Sequence, residues 1–172
     1  MSNDITAVNA VLLILRVTVG GTFIAHGYHH WRGGGGVKGT ASWFENLGLR
    51  HGALQAWASV LTEIGAGVLL VAGLFTPLAA AAVVSVMLVA FVIWHRRNGF
   101  FILKEGWEYV AVLAVTGLTL GTLGAGEWSL DQALGLRHDL YGWAGLWIAL
   151  GVGVASTGLL LVGTYRPAKR ED

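Results

Sequence analysis

Five stretches of the chain stay apolar long enough to cross a bilayer, at residues 5–27, 54–74, 78–94, 107–123 and 141–163. Punctuating segments separate them. Gly33-Gly34-Gly35-Gly36 predicts a flexible break that no helix would tolerate, and Phe75-Thr76-Pro77 predicts a tight turn, because Pro77 suits a first helical turn and disfavours a helical Thr76. Residues 98–106, with Gly99-Phe100-Phe101, and residues 124–140 read as loops. Between the first two spans, residues 41–49 place Trp43, Phe44 and Leu47 on one side of a helix too short to span, which predicts an interfacial segment or re-entrant turn. On the fourth span Gly117 and Gly121 recur at the spacing that lets helices approach closely. The expected fold is an all-α integral membrane protein: one domain over residues 1–172, with about five transmembrane helices and a short interfacial helix.

Composition agrees with this pattern. Of 172 residues 55% are hydrophobic and 12% charged, which leaves no room for a separate soluble domain. A net charge of +1 argues against a nucleic-acid partner. Without cysteine the chain forms no disulfide, thiolate metal site or dithiol couple, so electron chemistry would use a bound cofactor or a partner. The N-terminus lacks the basic start and cleavage site of a secretory signal, so the first apolar run is expected to stay as a span.

Charge distribution sets orientation. Five spans place Arg137 alone on the side of the N-terminus, and Arg32, Lys38, Arg50, Arg96, Arg97, Lys104, Arg166, Lys169 and Arg170 on the other. Nine against one predicts a multi-pass protein of the cell inner membrane with its N-terminus outside and its C-terminus cytoplasmic. Trp57, Trp94 and Trp107 then fall at cytoplasmic span ends, with Trp128 and Trp143 near the outer ones, as an aromatic belt requires.

Two charges interrupt the spans. Arg16 lies in the middle of the first, on a stripe with Gly20, Phe23 and Gly27 that predicts an inward face, and Glu63 lies near the centre of the second. Counted from His26 and Leu54 as cytoplasmic ends, the two sit at nearly equal depth, which predicts a buried Arg16–Glu63 ion pair serving either a site or helix registry. The same reckoning sets His26, His95 and Glu108 in one polar layer at the cytoplasmic span ends, with His29, His30 and Glu105 close in sequence. Such a layer suits a quinone headgroup or proton transfer. Bis-His haem ligation by His26 and His95 is the weaker reading, and no metal site or catalytic residue is assigned.

Leu15-Arg16 with Gly20, Phe23 and His26-Gly27, then the run Trp43-Phe44-Glu45-Asn46-Leu47-Gly48-Leu49, then Glu63-Ile64-Gly65-Ala66-Gly67 leading to Gly73-Leu74-Phe75-Thr76-Pro77, then His95, Gly99-Phe100-Phe101 and Gly106-Trp107-Glu108-Tyr109 together resemble the DoxX family of small bacterial membrane proteins over about residues 13–130. The resemblance implies a four-helix bundle, from which the fifth span departs. It also implies association with a thiosulfate:quinone oxidoreductase, or with a superoxide dismutase and a sulfurtransferase in a membrane redox complex. The family's recurring polar positions fall on Arg16, His26, Glu63, His95 and Glu108. The functional expectation is a membrane subunit of an oxidoreductase system that holds a quinone- or lipid-like molecule and docks a soluble redox protein on its basic face. A non-catalytic scaffold or assembly factor is the alternative. A small transporter is a third reading, against which stands the lack of a visible inverted repeat.

Overall fold

The computed structural model describes residues 2–136 and 138–167, so the expected charges Arg137, Lys169 and Arg170 lie outside the described residues. The described chain folds as α1 (Ser2–Arg32), α2 (Gly36–Asn46), α3 (Gly52–Ala72), α4 (Thr76–Ile93), α5 (Glu108–Leu123), α6 (Leu130–Ala133) and α7 (Trp143–Thr164). Four of these, α1, α3, α4 and α7, are long and apolar enough to cross a membrane, and α5 is a shorter apolar helix of 16 residues. The chain is therefore a helical, multi-pass membrane bundle whose outer faces meet lipid.

Helices α1, α3, α4 and α5 surround a core of Leu12, Phe23, Leu70, Val83, Leu113 and Leu120, and α7 packs outside this set on α4 and α5. The central position of α4 explains its nearly unbroken Ala and Val sequence, since it packs against α3, α5 and α7 and has no solvated face to carry polar residues. The stripe read on α1 is the buried one: Arg16, Gly20, Phe23 and Gly27 all face inward. Small residues set the helix spacing. A Cβ on Gly20 would lie 2.6 Å from the Gly67 carbonyl oxygen, and one on Gly117 would lie 2.9 Å from Val83 Cγ1. We expect Gly67→Leu to separate α1 from α3 and to destabilise the fold by about 1–3 kcal/mol or more, read as a lower midpoint in detergent melting; a side chain accommodated without loss would place the contact elsewhere.

Two sequence-derived boundaries move. Helix α1 runs through His29, His30 and Trp31 to Arg32 instead of ending near Gly27, and only Gly33–Gly35 form the break, because Gly36 already opens α2. Helix α2 spans Gly36–Asn46 instead of residues 41–49, and it buries Thr40 and Phe44. Phe44 joins Leu49, Ala56 and Ile93 in a second apolar cluster that closes this end of the bundle. The fifth span is stitched to the same end, since Arg50 N–H donates to the Thr164 carbonyl at 2.9 Å and Arg166 N–H donates to the Gly48 carbonyl at 2.7 Å.

Candidate functional site

The two charges buried within the spans lie at different depths, Arg16 at the turn after α3 and Glu63 near the middle of that helix. Arg16, with no exposed surface, donates from Nη1 to the carbonyls of Leu70 (3.3 Å) and Val71 (3.2 Å), and from Nη2 to the carbonyl of Trp128 (2.6 Å). Leu70 and Val71 lie in the last turn of α3, where carbonyls lack helical partners and the dipole favours a cation. The adjoining turn is held from its other side by Asp131, 3% exposed. Its Oδ1 accepts from Phe75 N–H at 2.8 Å, and its Oδ2 accepts from Thr76 N–H at 3.2 Å, Thr76 Oγ1 at 2.9 Å and Tyr141 Oη at 2.8 Å. A carboxylate at the start of α4 complements that helix dipole as the guanidinium complements the end of α3. Gly73, at φ +64°, adopts the left-handed turn and leaves the space that Arg16 fills.

Burial, the hydrogen bond to Asp131 and that carboxylate's charge push the Tyr141 hydroxyl up to about 12 from its ordinary value near 10. Because the folded value is the higher one, the contribution of Tyr141 to stability is complete below about pH 10 and is lost as pH rises through about 12. Tyr141→Phe should flatten the alkaline limb of a stability-against-pH curve, and an unchanged limb would contradict this.

The expected Arg16–Glu63 pair is therefore not formed. Gly20 packs against Gly67 and Val71, and Gly27 against Glu63 and Ile64, so Glu63 lies level with Gly27. Eleven residues separate that level from Arg16, ~16 Å along a helix. The depth reckoning failed because it took His26 as the end of α1, and the helical lean toward the N-terminus carries the Arg16 side chain still farther away.

Glu63, 3% exposed, instead accepts a short hydrogen bond from Ser59 Oγ one turn earlier on α3, and its Oε1 lies 3.7 Å from His30 Nε2. His30 is fixed in turn: Thr40 Oγ1 donates to its carbonyl at 3.1 Å, and its ring stacks on Trp43 at 6.3 Å between centroids. His30, Trp43, Ser59 and Glu63 line a cavity of about 440 Å³ in the half of the bundle away from Pro77, walled by α1, α2, α3, α4 and α5, by Leu160 of α7 and by the loop after α4. At its shallow end His95 Nδ1 lies 2.6 Å from the Glu105 carbonyl oxygen. A carbonyl only accepts, so Nδ1 carries the proton, and in that tautomer of the neutral ring Nε2 is the acceptor. Trp94 Nε1 donates to Glu105 Oε2 at 3.1 Å and braces the same corner.

Of the residues picked from sequence, His26, Glu63 and His95 line this cavity, while Arg16 and Glu108 do not. The single polar layer also fails. His26 stands beside Gly27 at the depth of Glu63, His95 follows the end of α4, and Glu108 Oε2 accepts from Ile102 N–H at 3.1 Å to close the loop before α5. The sequence marked His30 only as a neighbour of the polar layer and Trp43 only as interfacial, and it did not mark Ser59 or Asp131 as site residues. The i,i+4 spacings of His26 with His30 and of Ser59 with Glu63 were available as signals; nothing local marks the bonds of Asp131 to Phe75 and Thr76, which lie more than fifty residues away.

Neither a curated protein nor a solved structure matches the chain. The DoxX family model matches residues 11–96, half of the chain, from within α1 to just beyond α4, and so takes in Arg16, His26, His30, Glu63 and His95. The chain belongs to the DoxX family.

Proposed function

We propose that this protein is a membrane subunit of an oxidoreductase system, and that its cavity holds the headgroup of a quinone- or lipid-like molecule. One observation carries the reading: the cavity falls within the ~300–1,000 Å³ range of small-molecule sites and is mostly apolar, with convergent polar groups at His30–Glu63 and at His95. A quinone presents two carbonyl acceptors and its reduced form two hydroxyl donors. His30 and His26 supply donors for the first, and Glu63 and His95 Nε2 acceptors for the second. In this reading Arg16 belongs to the scaffold, not to the site.

Among the described basic residues, Arg32, Lys38, Arg50, Arg96, Arg97, Lys104 and Arg166 all flank the cavity end of the bundle. By the positive-inside rule this end is cytoplasmic, the N-terminus lies outside, and the membrane is the bacterial inner membrane. A soluble redox protein with an acidic face would dock there, a superoxide dismutase or a sulfurtransferase by analogy with the family. The test is to purify the protein in mild detergent, extract and identify bound quinone, and measure quinone-dependent electron transfer with and without a soluble partner fraction. Bound quinone and a partner-dependent rate are expected; absence of both would refute the proposal. The scaffold reading is favoured by one fact, that Arg16 is spent on a turn. It predicts full function after His30→Ala, where the proposal expects a loss of up to about tenfold in quinone affinity, the cost of one hydrogen bond.

A further inference from the structure

We propose that the cleft between α3 and α7 is a lateral port, through which the tail of a long-chain amphiphile leaves the cavity into the middle of the bilayer. The inference rests on the reading of the cavity as a headgroup site and specifies what kind of molecule it admits. Packing along α4 changes at its midpoint. Ala79, Ala80, Ala81, Val83 and Val84 are buried, whereas every residue from 85 to 92 is only half-buried, so the bundle is tight toward Pro77 and loose around the second half of this helix.

The looseness opens in a definite direction. Ala58 and Thr62 of α3 line the cavity and are also exposed on the outside of the bundle, with Leu160 of α7 across from them and Ser85 and Val89 of α4 as the floor. Helices α3 and α7 both pack on α4 and scarcely on each other. Thr62 lies ten residues from each end of α3, ~15 Å, which is the bilayer midplane for a span of this length. Elsewhere the exits are poorer for an acyl or isoprenoid chain: α2 covers the basic end with Phe44 and Trp43, and the rim between α1 and α5 carries His26 and Tyr109. A head held by His30 and Glu63 thus has an uncharged way out between small and aliphatic side chains at its own depth.

The absence of cysteine in the chain keeps labelling chemistry simple, and the experiment uses two synthetic probes in lipid nanodiscs. One is a benzoquinone with a ten-carbon tail ending in a diazirine, the other the same head without a tail. After irradiation, adducts competed by excess tailless quinone should fall on Ala58, Thr62 and Leu160. Thr62→Trp should weaken the tailed probe about tenfold more than the tailless one, the equivalent of roughly two buried methylenes. Competed adducts confined to α1 and α5, or equal weakening of both probes by Thr62→Trp, would overturn the port while the headgroup site stands. A tailless probe that does not bind the wild-type protein at all would overturn the headgroup reading itself, and the port with it.

Discussion

Arg16→Leu should cost about 3–5 kcal/mol of stability, enough to prevent recovery of a folded protein, because it removes one partner of a buried ionic arrangement and leaves the others in place. The carbonyls of Val71 and Trp128 would lose the guanidinium donors, that of Leu70 would keep only Gly73 N–H, and Asp131 would face the interior without the nearby cation. Arg16→Lys restores the charge but not the two-pronged donation, so it should recover only part of the loss. Asp131→Asn attacks the same turn from the other side, since an amide has one acceptor oxygen where the carboxylate serves four donors. Melting midpoints of the single and double variants should show strong non-additivity between Arg16 and Asp131, and none between Arg16 and Glu63. Coupling of Arg16 to Glu63 by a few kcal/mol would restore the ion pair and contradict the geometry.

Glu63→Gln should leave the bundle folded and empty the site. Gln keeps the length and can still accept from Ser59, but it cannot hold a charge beside His30 at 3.7 Å. The expected loss of hydroquinone affinity is about 10–100-fold, matching roughly 1.5–3 kcal/mol for a hydrogen bond to a charged group. His30→Phe should preserve the stack on Trp43 and give a comparable loss, and the two losses should not add, because each variant removes the same pair. Additive losses would mean that the two side chains act on different ligands or not at all.

The chain itself announces its spans and the inner face of α1, since bilayer thickness demands long apolar runs and a buried Arg16 must face protein. What it hid was register. Hydropathy reports where apolar side chains stop, near Gly27, whereas the helix persists while backbone hydrogen bonds do, through the aromatic and basic residues to Arg32. That difference of one and a half turns moved His26 from the membrane edge to the depth of Glu63 and put His30 within reach of it. Asp131 stayed hidden for another reason. It meets Phe75 and Thr76 only after the whole bundle has closed, and no local periodicity records such a contact. Gly117 and Gly121 show the opposite case, where spacing along one helix alone foretold a close approach.

Of the two charges buried within the spans, Arg16 holds the turn between α3 and α4 and Glu63 faces the cavity. Titration of tailless benzohydroquinone, kept reduced, against the tryptophan fluorescence of the cavity tests that division most directly, with wild type, Glu63→Gln and Asp131→Asn compared in nanodiscs at low temperature. The account predicts saturable quenching for wild type and for folded Asp131→Asn, and a loss of at least about tenfold for Glu63→Gln. Equal binding by wild type and Glu63→Gln, or a loss confined to Asp131→Asn, would contradict it.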